Sequence, residues 1–197
     1  MIYIDESIWD FDLQEALATV SAERRQQALR YRQEIDQRLC VAAYRLLQRA
    51  LQQEYGITDL PQFSYAPNGK PSLIHHTPYT IHFSISHCNK AVACALSDSP
   101  VGIDVETFAH YSEDVARRVM NESELQEILT SARPEVTFTR LWTMKESFYK
   151  LTGAPAPETG KHTGGDIDIL NMLDQATHCR FTTVIHPQFA VTHCTLK

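Results

Sequence analysis

The chain has 197 residues, 43% of them hydrophobic and 21% charged, with a formal net charge of -6. That apolar share supports a buried core and excludes a disordered chain, and the acidic balance excludes a general nucleic-acid binder while leaving room for a local basic patch. The odd set Cys40, Cys88, Cys94, Cys179 and Cys194, without a CxxC pair, excludes a disulfide framework or zinc ribbon and fits reduced thiols in a cytoplasm.

The N-terminus MIYIDESIWDFDLQ has no basic region followed by an apolar run. No stretch reaches transmembrane length either, so a soluble intracellular protein is expected. MIYI reads as a first strand. From Ser21 to Gly56 the sequence reads as one helical region, with Ile35, Leu39, Ala42, Ala43, Leu46, Leu47, Ala50 and Leu51 forming its apolar stripe and Gly56 its end. Its lead-in, residues 21–38, is the main basic cluster: Arg24, Arg25, Arg30, Arg32 and Arg38 outnumber Glu23, Glu34 and Asp36. PNGKPSL (67–73) reads as a turn; IHFSIS, AVACAL and VGIDVE follow as strands, with SDSP turning between the last two. Asn121 with Glu124 resembles a capping box, Pro134 suits the first turn of a longer helix ending near Gly153, and APAPETGKHTGG is loop-like. The tail RFTTVIHPQFAVTHCTLK suggests two strands turning at 186–188.

In VGIDVE, strand alternation puts Val101, Ile103 and Val105 on one face and Gly102, Asp104 and Glu106 on the other. Two carboxylates sharing a face form either a salt-bridged strand edge or part of a cation site. In LWTMKESFYKLTG, Leu141, Met144, Phe148 and Leu151 form a stripe for the core, and Glu146 and Lys150 face away from it. They are either a solvated i,i+4 pair or the wall of a cleft, and Trp142 one turn before Glu146 favours the cleft. His75, His76 and His82 lack a compact metal-ligand motif and read as solvent-exposed; Cys88 and Cys94 read as small buried residues.

The ordered blocks NGKP (68–71), FSISH (83–87), VGIDVE (101–106) and LWTMKESFYKLTG (141–153) together resemble the 4'-phosphopantetheinyl transferases, specifically the pseudo-dimeric class typified by the surfactin-synthetase activator. The resemblance covers roughly residues 20–153. It implies attack of a carrier-protein serine on the β-phosphate of coenzyme A, with release of adenosine 3',5'-bisphosphate. It further implies magnesium, or alternatively manganese, held by Asp104, Glu106 and Glu146, with Glu146 or a metal-bound water as base and Lys150 stabilising phosphate charge. Ser86 and His87 would contact coenzyme A phosphates, Gly69, Lys70 and Pro71 would shape the nucleotide pocket, and Arg38, with Arg24 as a looser match, would meet the 3'-phosphate. Gln27 stands where the family's pattern has a second lysine.

The fold class expected is α+β, or α/β-like, with two pseudo-twofold halves, each a small mainly antiparallel sheet packed with a long helix. The halves are residues 1–103, with the basic arm and nucleotide contacts, and 104–197, with the metal and catalytic residues. The active site is expected between them in a monomeric cytoplasmic enzyme whose partners are coenzyme A and an apo acyl or peptidyl carrier, with no nucleic acid and no membrane. Two other readings use the same residues: a metal-dependent hydrolase of coenzyme A or a related pyrophosphate, and a non-catalytic binding module.

Overall fold

The computed structural model describes residues 1–66, 69–74, 77–153 and 168–197. Pro67, Asn68, His75, His76 and the loop-like stretch 154–167 lie outside the described residues. Strand β1 (Ile2–Asp5) leads to α1 (Leu13–Ala18), which opens where the Asp12 carboxylate accepts from the Glu15 N–H. Helix α2 (Ala22–Ala28) opens in the same way, on the Ser21 hydroxyl, and α3 (Glu34–Tyr55) follows. The single helical region expected from Ser21 to Gly56 is therefore two helices. The reason is burial: α3 buries a full stripe, whereas α2 buries only Ala28. Nothing apolar holds the polar lead-in on the axis of α3. Instead α1 and α2 fold back against a second face of α3, and Leu13, Ala16, Leu17, Val20 and Ala28 close over Cys40, Val41 and Tyr44. Gly56 ends α3 at φ 67°, where its N–H reaches the Gln52 and Leu51 carbonyls.

Strands β2 (Gln62–Tyr65) and β3 (Pro71–Ile74) pair antiparallel in a hairpin that was not expected, so residues 71–73 of the expected turn are strand. Then come β4 (His82–His87), β5 (Val92–Ser97) and β6 (Val101–Thr107). A single 3-10 turn (Phe108–His110) follows, and then α4 (Glu113–Val119) and α5 (Glu122–Thr130). Helix α5 opens on the expected Asn121–Glu124 capping box. Helix α6 (Pro134–Thr152) carries Pro134 in its first turn and ends on left-handed Gly153. The chain finishes with α7 (Met172–Gln175), β7 (Cys179–Ile185) and β8 (Phe189–Leu196), the last two forming the expected hairpin.

Two antiparallel three-stranded sheets result, ordered β1-β5-β4 and β6-β8-β7. The boundary expected between residues 103 and 104 falls inside β6, all seven residues of which pair with β8. Alternation on β5 explains the layering. Val92, Cys94 and Leu96 meet α3, whereas Ala91, Ala93 and Ala95 meet Val101, Ile103 and Val105 of β6. Small alanines let the sheets lie close, and α6 covers the far side of the second sheet. The layers thus run α3, first sheet, second sheet, α6: an α+β fold of two subdomains, each a small antiparallel sheet packed on helices. Among the described residues no helix is long and apolar enough to cross a membrane, and all five cysteines are buried and free.

Candidate active site

The cleft between the subdomains is built where β4, β6 and α6 meet. The β6 N–H groups of Ile103 and Val105 face β4 and donate to serine hydroxyls, at 3.0 Å to Ser84 Oγ and 3.3 Å to Ser86 Oγ. This gives FSISH a structural reason, since the two serines satisfy a strand edge that has no backbone partner on that side. On the opposite face of β6, α6 comes so near that a Cβ on Gly102 would lie 1.8 Å from the Ser147 carbonyl oxygen. The glycine of VGIDVE therefore admits a helix backbone.

Helix α6 meets the sheet along two stripes: its apolar Phe148 and Leu151 pack with Cys179 and Cys194, and a small polar stripe lies beside them. Thr139, Thr143 and Ser147 are fully buried, and their hydroxyls donate to the helix's own Glu135, Arg140 and Met144 carbonyls at 2.8, 3.0 and 2.9 Å. Thr143 also shares a 2.7 Å hydrogen bond with Thr192 of β8. Leu141, Phe148 and Leu151 are buried as expected, whereas Met144 is only half-buried. At 100° per residue, Lys150 lies about 20° and Glu146 about 60° round the axis from Thr143. The small stripe therefore carries both residues to the cleft.

At its centre, Lys150 Nζ donates to Asp104 Oδ1 at 2.7 Å and to Ser86 Oγ at 2.8 Å, and Ser86 donates to the same Asp104 oxygen at 2.8 Å. Asp104 is the sequestered partner, its side chain 8% exposed against 27% for Lys150. Glu106 accepts from the Thr107 N–H at 2.6 Å and lies 3.1 Å from His110 Nδ1. Burial raises the Glu146 carboxyl above its ordinary value, and the charges of Asp104 and Glu106 push it the same way against the pull of Lys150. His87 is held below the usual histidine value by desolvation and then by Lys150, so a neutral imidazole is favoured at neutral pH.

These groups share a cavity of about 560 Å³ with Arg24, Gln27, Tyr31, Tyr65, Gly69, Pro71 and Trp142, floored by Cys40 and Ala43 of α3. Arg24 lies 5.2 and 5.4 Å from the Tyr44 and Phe63 ring centroids. Tyr31 and Tyr65 were not singled out by sequence reasoning, and no spacing signal in the chain marks them. Two expected residues point elsewhere. Arg38 is not brought to the cleft: its guanidinium donates to the Phe11 carbonyl at 2.8 Å and to Glu34 at 2.7 Å, between the Trp9 and Phe11 rings. The cause is helical phase, because Cys40 faces the cleft and a residue two positions earlier lies about 200° away. Lys70 sends its ammonium to the C-terminus of α6, 2.6 Å from the Lys150 carbonyl and 3.1 Å from that of Leu151. A cation at that end also complements the helix dipole.

Among the described residues, no three acidic, histidine or cysteine side chains gather closely enough to form a metal cluster. Asp104, Glu106 and Glu146 nevertheless line one cavity, and the charges of the first two act on Glu146, a donor set that suits a hard divalent cation. The structure also reveals a buried ion pair that sequence reasoning passed over. Lys145 lies 2.7 Å from Glu124 and donates to the Val119, Ile169 and Leu170 carbonyls at 2.9, 2.6 and 3.2 Å. It points away from the cleft and fastens α6 to α4, α5 and the chain after residue 168.

Comparison with known proteins agrees with this architecture. Residues 100–193 match the 4'-phosphopantetheinyl transferase superfamily. The 4'-phosphopantetheinyl transferase psf-1 of Bacillus pumilus is 32% identical over 193 residues, covering 90% of this chain and 79% of that protein. The chain belongs to the 4'-phosphopantetheinyl transferase superfamily. Another relative in the family, the transferase Sfp of Bacillus subtilis, is 31% identical over 77% of this chain and 68% of its own length. The transferase AcpT of Escherichia coli O157:H7 is 28% identical over 51% of this chain and 53% of its own. Family membership makes the reaction one of phosphopantetheinyl-transfer type, carried out by an enzyme.

Proposed function

We propose that this enzyme transfers the 4'-phosphopantetheine group of coenzyme A to a serine of an apo carrier protein, acyl or peptidyl, and releases adenosine 3',5'-bisphosphate. The observation that carries the reading is the Lys150–Ser86–Asp104 network lining the same cleft as Glu146. In the reaction the serine oxygen forms a bond to the β-phosphorus as the bond to the bridging oxygen breaks, and the serine proton leaves. Glu146 takes that proton, directly or through water, since its raised proton affinity suits a base better than an ordinary exposed carboxylate. Lys150 supplies a charged donor to the phosphate oxygens, and neutral His87 on the cleft wall supplies an N–H. Arg24, steadied on two aromatic rings, is the basic group we assign to the 3'-phosphate; a role for Arg38 there would require it to leave the Phe11 carbonyl. Gly69 and Pro71 shape the nucleotide wall, while Lys70 holds their hairpin to the end of α6.

Asp104, Glu106 and Glu146 would hold a magnesium ion, with manganese able to replace it. A bound divalent cation would neutralise the pyrophosphate and the three carboxylates together. The similarity to psf-1 and Sfp supports the surfactin-activator type, and the five buried free cysteines fit a reducing cytoplasm, where we take the enzyme to act as a monomer. The test is intact-mass spectrometry of a panel of apo carriers incubated with the protein, coenzyme A and magnesium. The expected result is one carrier gaining a single phosphopantetheine and losing that gain with chelator or Glu146→Gln. Coenzyme A cleaved to water without carrier modification would establish a hydrolase instead. Binding without either product would leave a binding module.

A further inference from the structure

Three carboxylates in a partly closed cleft need positive charge, and among the described residues Lys150 seats its ammonium on one of them. Lys150 Nζ lies 2.7 Å from Asp104 Oδ1, in a position that a divalent ion on that oxygen would contest. The two partners differ in freedom. Asp104 sits on a central stretch of β6, 8% exposed, and a second donor, the Ser86 hydroxyl at 2.8 Å, holds the same oxygen. The Lys150 side chain is 27% exposed on a flexible four-carbon stem, although its backbone carbonyl is tethered by Lys70 at 2.6 Å. Asp104 therefore stays, and Lys150 can swing.

We propose that Lys150 is an exchangeable counter-ion: in the substrate-free enzyme its ammonium occupies Asp104, and it moves to the coenzyme A pyrophosphate as the divalent ion takes its place. This rests on the metal reading given above and adds a coupling to it. An ammonium and a divalent ion repel each other at one carboxylate oxygen, so metal alone must expel Lys150 into water. When pyrophosphate arrives at the same time, it offers Lys150 a new anionic partner. Metal and coenzyme A then bind with positive, reciprocal coupling, and the free enzyme is spared a loosely held ion in an acidic pocket.

The test uses manganese as the probe, read by electron paramagnetic resonance or calorimetry on the intact protein without carrier, so that no turnover occurs. Wild type is expected to bind manganese weakly alone and roughly tenfold or more tighter with coenzyme A present, a coupling of about 1.4 kcal/mol. Lys150→Met is expected to bind manganese alone roughly tenfold tighter than wild type and to gain less from coenzyme A than wild type does, what remains being the ion's own attraction to the pyrophosphate. Lys150→Gln, which keeps a polar end, should behave alike, and near-UV circular dichroism checks that each variant is folded. Asp104→Asn should remove manganese binding from both backgrounds. Unchanged or weaker manganese binding in both folded Lys150 variants would overturn the exchange while leaving the metal site standing. Absence of manganese binding in wild type and variants, with or without coenzyme A, would overturn the metal reading and the exchange together.

Discussion

Gly102→Ala tests the packing that positions the whole site. The added Cβ would stand 1.8 Å from the Ser147 carbonyl oxygen and 2.7 Å from the Leu151 N, whereas real Cβ atoms essentially never come within 3.0 Å. Both obstacles are backbone, so no side-chain rotation relieves them and α6 must retreat by about 1.2 Å, the difference between 1.8 and 3.0 Å. Overpacking of this kind costs about 3 kcal/mol, at the upper end of the usual range because the collision is with a helix backbone. Replacing glycine in a strand returns at most about 1 kcal/mol of backbone entropy. The net loss of about 2 kcal/mol should lower the melting temperature by roughly 4 to 8 °C in a chain of this size. Function should suffer more. Lys150 and Glu146 ride on the same turn, and a retreat of that size breaks the 2.7 Å contact of Lys150 with Asp104. Misplacement by about 1 Å commonly costs on the order of a hundredfold in rate. Thermal unfolding by circular dichroism and carrier modification by intact mass measure the two effects. A variant melting within about 1 °C of wild type and transferring at a similar rate would refute the close approach of α6 to β6.

Glu146→Gln should lower transfer by roughly 10²-fold or more and yet raise the melting temperature at neutral pH. The sign follows from the raised carboxyl: a group with higher proton affinity when folded lends stability below its unfolded value and loses it as pH rises through the folded one. Ionised Glu146 is thus a burden at pH 7, and the variant's thermal advantage should vanish below the ordinary carboxylate range; an advantage independent of pH would sink this account. Lys145→Met leaves the Glu124 carboxylate buried without its ammonium, so urea unfolding should show a loss of about 3 to 5 kcal/mol, much of it restored when Glu124→Gln is added. The two arginines should separate by assay. Arg24→Ala should raise KM for coenzyme A with little change in melting temperature, whereas Arg38→Ala should cost about 1 to 2 kcal/mol of stability through the lost Phe11 carbonyl bond; the reverse pattern would return the 3'-phosphate role to Arg38.

Local chemistry was enough to read much of this protein from sequence. The strands of residues 82–107, the Asn121–Glu124 capping box, the Pro134 start and Gly153 end of α6, and the closing hairpin each depend on neighbours a few residues away. Short-range alternation and helical phase likewise put Asp104 with Glu106 and Glu146 with Lys150 on common faces before any fold was known. The break between α2 and α3 was not legible, because no proline or glycine marks it; it follows from where α3 buries its stripe and α2 does not. The polar stripe by which α6 reaches Gly102 and Thr192 was hidden for a similar reason, since Thr139, Thr143 and Ser147 are polar in any hydropathy pattern and are buried because each hydroxyl returns to its own helix. Arg38 shows the same limit from the other side: a motif supplies a residue type and a position, while the phase of a helix on its neighbours decides which cleft a guanidinium can reach. Sequence by itself determined the chemistry available to this enzyme, because carboxylates, lysine and serine are legible as types. Only the tertiary structure decided that Lys150, 46 residues beyond Asp104, would seat its ammonium on that carboxylate, because the contact exists only where Gly102 lets a helix backbone press against a strand.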